Sequence, residues 1–132
     1  MTLKSVGWIA LAVTVAFGIG WMIGGSGRAA LVQEQRALEE RAGFAEARAL
    51  VLQGRVDLFT VNFGNASARF EEARAKVEQL QAALREVGLA ERAGRLEIVL
   101  AQLRDAQRLA SSLDQAAQSA ATQALDALDA AR

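Results

Sequence analysis

Cysteine, histidine, tyrosine and proline are all absent from this chain. Without cysteine there is no disulfide, no thiolate nucleophile and no cysteine-ligated zinc. Without histidine the commonest general base and the commonest transition-metal ligand are missing. The lack of proline suits a chain that is helical nearly throughout. An excess of charge of one sign is lacking too, since 15 Lys and Arg balance 15 Asp and Glu. Such a molecule presents no strong field to nucleic acid or acidic lipid, and no basic stripe interleaves with aromatics. What is abundant, beyond the first 27 residues, is Ala, Leu, Glu, Gln and Arg, all strong helix formers. The fold class expected is all-α.

One stretch has no charge at all. Residues 6–25 run apolar from Val6 to Gly25, following a short tail (residues 1–5) that carries only Lys4. About 20 such residues are what a helix needs to cross about 30 Å of hydrocarbon. Trp8 and Trp21 lie near its two ends, where indole rings favour the headgroup region. A secretory signal would be shorter, would follow a more basic start and would end at a small-x-small site, so a permanent single-pass anchor is expected. Ala12, Ala16, Gly20 and Gly24 recur every four residues, and Gly20 to Gly24 is a GxxxG. That stripe of small side chains would let another membrane helix approach closely. Lys4 stands against Arg28, Arg36 and Arg41 beyond the span, which leans the long tail to the cytoplasmic side. Gly24-Gly25-Ser26-Gly27 lacks the Lys and strand context of a phosphate loop, and reads as a hinge.

The rest of the chain is heptad-patterned. From Leu31, alternating steps of four and three land on Gln35, Leu38, Ala42, Ala45, Ala49, Leu52, Val56, Phe59 and Phe63, with only Gln35 polar. This is the seam of a coiled-coil-like helix. Asn62-Phe63-Gly64-Asn65 reads as its stop, with Asn65 capping the next start. A second seam follows at Ala66, Phe70, Ala73, Val77, Leu80, Leu84 and Val87, closed by Gly88 and Leu89. A third runs through Leu96, Val99, Leu103, Ala106, Ala110, Leu113, Ala117, Ala120, Ala124 and Ala127. Pairs such as Glu72/Lys76 and Glu91/Arg95 sit off these lines and mark a solvated face.

These seams predict an antiparallel three-helix bundle over residues 41–111, with turns near 62–65 and 88. A membrane-proximal stalk (26–40) precedes it, and a helix over 112–132 projects beyond it. The projecting seam is nearly all alanine, so Leu113, Ala117, Ala120 and Ala124 form a candidate docking seam for another chain. The first helix also bears a second apolar column, Phe44, Val51 and Leu58, spaced by sevens about 100° from the seam. A minimal bundle needs one apolar stripe, so this column faces either the third helix or a partner.

The spacing Gly54, Phe63, Ala66, Phe70, Ala73 is similar to part of a tetratricopeptide repeat, which would imply a helical hairpin that binds peptides. The likeness covers about twenty residues once. It lacks that repeat's early aromatic and closing proline, and one period on, Leu100 stands where a small residue belongs.

Catalytic constellations are missing. Glu39-Glu40 and Glu71-Glu72 are adjacent on helices and diverge by about 100°, so neither pair converges on one atom. The seams carry no Glu or His for a metal, and no serine or threonine has a histidine partner. The sequence therefore predicts a non-enzymatic protein of the bacterial inner membrane with no cofactor, metal, nucleic acid or small-molecule substrate. Its expected partners are the bilayer and other proteins, either copies of itself or a larger membrane complex. An exported soluble bundle released by signal cleavage is the remaining alternative.

Overall fold

Among the described residues, three turns of one geometry divide the chain. At each, a residue in the left-handed region ends a helix, and its neighbour's N–H reaches back five residues. Val61 (φ 60), Gly88 (φ 79) and Leu113 (φ 59) occupy that position. Asn62 N donates to Asp57 O (2.7 Å), Leu89 N to Leu84 O (2.9 Å) and Asp114 N to Leu109 O (2.9 Å). The left-handed residues themselves donate to Leu58, Arg85 and Ala110, so each turn is a Schellman motif that satisfies carbonyls otherwise orphaned at a helix end.

In the computed structural model, side chains are described from residue 28 to residue 132. The elements are α1 (Leu3–Phe59), α2 (Phe63–Glu86), α3 (Ala90–Ser111) and α4 (Ala117–Ala131), with no strand among the described residues. The chain divides into two units, Met1–Glu39 and Glu40–Arg132. The apolar run 6–25, the stripe Ala12, Ala16, Gly20 and Gly24, and the glycine-rich hinge lie outside the described residues. Among the described residues no helix is long and apolar enough to cross a membrane. Within the first unit, residues 28–39 are exposed, Leu31, Val32 and Leu38 included, and Gln35 Nε2 donates to Glu39 Oε1 (3.0 Å).

The second unit is a four-helix up-and-down bundle. Gly43 lies against Leu80 and Gly54 against Phe70, so α2 runs antiparallel to α1. Ser67 Oγ meets Ser111 Oγ (2.9 Å) and Gln81 Nε2 donates to the Ala93 carbonyl (3.0 Å), setting α3 antiparallel to α2. Arg48 pairs with Asp129 (3.2 Å) and Gln118 Nε2 donates to the Arg55 carbonyl (3.2 Å), which brings α4 back beside α1 and closes the ring. Short connections of this kind make sequential helices antiparallel neighbours.

The expected three-helix bundle is thus a four-helix one, and the expected projecting helix folds back. Its break falls at 112–116, where Leu113 takes the left-handed conformation and Asp114 Oδ1 accepts from Ala116 N (2.8 Å). An aspartate there satisfies a free N–H of the next helix. Beyond it, α4 turns Leu125 and Leu128 inward as well as Ala117, Ala120, Ala121, Ala124 and Ala131. Those two leucines supply the bulk that an all-alanine seam lacks.

Two seams pack as their spacing predicts. In α2, Ala66, Phe70, Ala73, Val77, Leu80 and Leu84 are buried, with only Val87 exposed; in α3, Leu96, Val99, Leu103, Ala106 and Ala110 are buried. Phe70, Leu96, Leu103 and Leu128 are fully enclosed, each worth about 1.5–3 kcal/mol of burial. The start of α2 differs in detail. Its cap is Asn62, whose Oδ1 accepts from Asn65 N (3.4 Å), and Gly64 lies in the first turn.

Candidate interaction surface on the first helix

Within the bundle α1 has two apolar faces, and the structure assigns them opposite roles. Phe44, Ala47, Val51 and Leu58 point into the core. On the same side Gly43 and Gly54 leave room for side chains of α2. A Cβ at residue 54 would stand 2.6 Å from the Phe70 ring, and one at residue 43 would stand 2.6 Å from a Leu80 methyl. Two glycines let two large α2 residues seat against the α1 backbone. The Gly54–Phe70 contact explains the tetratricopeptide-like spacing as the packing of a close helical hairpin.

Charges at the margins of α1 fix that orientation. Glu46 meets Lys76 of α2 (2.6 Å), Arg48 meets Asp129 of α4 (3.2 Å), and Glu40 meets Arg92 of α3 (2.6 Å). Arg92 also donates to the carbonyl of Arg132, tying the chain's last residue to the same corner. Each pair is partly solvated and contributes at most about 1 kcal/mol. All three partners lie within reach in this rotation of α1. On α2, Glu72 pairs with Arg69 (3.0 Å), since Lys76 has turned to α1; on α3, Arg95 and Glu91 pair at 3.0 Å.

The heptad seam of α1 consequently faces away from the core. Ala42, Ala45, Ala49 and Leu52 are exposed, Val56 is 61% exposed and Phe59 is 72% exposed. The candidate partner column Phe44, Val51 and Leu58 is core, since the other helices of the same chain fill the space it faces. The candidate docking seam divides similarly. Ala117, Ala120 and Ala124 are buried within the bundle, and only Leu113 is open, at 70% exposure. The apolar residues of α1 left exposed are those that the spacing alone assigns to the interior.

Between α1 and α4 lies an open cleft of about 210 Å³ lined by Phe44, Ala45, Arg48, Ala49, Leu52, Leu128, Asp129 and Arg132. It is smaller than most small-molecule sites, and two of its charged groups already pair with each other. At the end of the bundle that carries the Val61 and Leu113 turns, Phe59, Val61 and Leu113 add further exposed apolar surface. Among the described residues no three acidic, histidine or cysteine side chains converge as metal ligands do.

No family model, curated protein or solved structure matches this chain.

Proposed function

We propose that this chain is a membrane-anchored assembly protein. The apolar run from Val6 to Gly25 holds it at the bilayer, and the helical bundle makes protein–protein contacts without catalysing a reaction. The observation that carries the reading is the exposed heptad seam of α1. A soluble bundle gains nothing from Val56 and Phe59 in water, with Leu52 half-covered beside them, and contiguous exposed apolar surface marks an interaction site. An anchor complements this, because confinement to a bilayer raises the effective concentration of weak contacts. The excess of Lys and Arg after the span leans the bundle to the cytoplasmic face of a bacterial inner membrane.

A second reading makes the protein an accessory subunit of a larger membrane complex, docked through Ala12, Ala16, Gly20 and Gly24. A third makes it an exported bundle after signal cleavage. One fractionation separates the three. The full chain is expected at its uncleaved mass in an alkali-resistant membrane fraction, and self-associated there even when Gly20 and Gly24 are both changed to Leu. Release from its complex in that double variant selects the docked subunit. A mature mass short of the apolar run selects export.

A further inference from the structure

We infer that the outward face of α1 between Arg41 and Thr60 is the interface with a second copy of this chain, paired parallel and in register. This rests on the assembly reading and names its surface, partner and orientation.

The seam positions are strictly heptad: Ala42, Ala49 and Val56 at a, and Ala45, Leu52 and Phe59 at d. Heptads of this kind place identical residues opposite each other in a parallel pair, and a branched residue at a with Leu at d favours two strands. Small residues at 42, 45 and 49 let the helices approach closely, and the large residues of the pair then meet at Leu52, Val56 and Phe59.

Flanking charge chooses the direction. The g positions are all arginine here: Arg41, Arg48 and Arg55. The e positions are Glu46, Gln53 and Thr60. Antiparallel helices set g against g, which would place arginine against arginine along the seam. Parallel helices set g against the following e of the neighbour, so Arg41 meets Glu46 of the second copy, twice by symmetry, and between residues 41 and 60 no like charges meet. Arg41 has no carboxylate partner among the described residues, and the Glu46 side chain that meets Lys76 is still 58% exposed. Upstream the match stops, because Glu34 would face Glu39 of the second copy.

The absence of native cysteine makes the test direct. Single cysteines replace Ala42, Ala49 or Ala68 in the full chain, in vesicles of neutral phospholipid, and disulfide formation is followed under mild oxidation. Ala42→Cys and Ala49→Cys are expected to cross-link to their own copies, because a positions of a parallel pair fall within disulfide reach. Ala68→Cys, exposed on α2, is the control and is expected to stay monomeric. Arg41→Glu in the Ala42→Cys background is expected to lower the cross-linked fraction about threefold, and adding Glu46→Arg to restore it. If Ala42→Cys cross-links only in mixtures with Phe59→Cys, the pairing is antiparallel and the inference is overturned. If sedimentation in detergent shows an oligomer but neither alanine variant cross-links, this face is wrong while the assembly reading survives. A monomer at every concentration overturns both.

Discussion

The two faces of α1 carry nearly the same apolar content and have opposite fates. Phe44, Ala47, Val51 and Leu58 are buried, whereas Leu52 is 36%, Val56 61% and Phe59 72% exposed. Hydrophobicity does not separate them. Shape and charge do. The buried face has glycines where α2 presents Phe70 and Leu80, and its margins hold Glu40, Glu46 and Arg48 within reach of Arg92, Lys76 and Asp129. The exposed face has the more regular period, and the other helices of the bundle leave its Val56 and Phe59 open.

The largest expected effect of breaking this comparison is on the buried face. Phe44→Ala removes an enclosed ring beside the cleft shared with Leu128, and it should lower the stability of the bundle by about 3–5 kcal/mol. Urea unfolding followed by helical circular dichroism measures it. A loss below about 1 kcal/mol would mean that Phe44 is not core. Next comes Gly54→Ala. Alanine is ordinarily the better helix former by about 1 kcal/mol, yet here its methyl would meet the Phe70 ring at 2.6 Å. Phe70 is wholly buried and cannot swing aside, so a net loss of about 1–3 kcal/mol is expected. Gly94 is the internal control, because nothing lies within 4 Å of a Cβ there. Gly94→Ala should stabilise the same bundle.

A smaller effect, of opposite sign, is expected at the turns. Gly88 takes the left-handed region at no steric cost, but Val61 and Leu113 hold the same conformation with a side chain. Both side chains are exposed, so little packing offsets the strain. Asparagine tolerates that region, and Val61→Asn or Leu113→Asn should each raise bundle stability by about 1 kcal/mol. No gain in either variant would mean that the exposed side chain makes a stabilising contact that offsets its strain.

These turns also show how much of the fold could be read in advance. Gly88 announces its turn, and the phases of α2 and α3 follow from spacing, because each has one apolar stripe that neighbours cover. Leu113 gives no such signal, and a helix that reverses there resumes a heptad-compatible seam at Ala117. Asp114 was the available cue, as a capping residue ahead of an apolar run. The rotation of α1 was the harder problem. Periodicity ranks faces by regularity, whereas the bundle chose the face whose gaps fit Phe70 and Leu80. That choice depends on α2, which spacing within α1 cannot express. The proposed interaction surface is hidden in the spacing for the same reason, since its residues look like core until the true core is known.

The smallest expected effect is therefore on the exposed face, and it sharpens the comparison most. Val56 is 61% exposed and lies outside the buried core of the bundle. Val56→Gln keeps a helix former at the position and should change the unfolding free energy of the dilute, dissociated chain by less than about 0.5 kcal/mol. Phe44→Ala in parallel fixes the scale. The same Val56→Gln change places an amide at the centre of the proposed parallel pair, opposite its own copy, where a polar a position weakens association. Cross-linking of Ala49→Cys should then fall while the unfolding curve stays put. A matching loss of intrinsic stability would instead place Val56 in the core of its own bundle, and the two faces of α1 would no longer differ in kind.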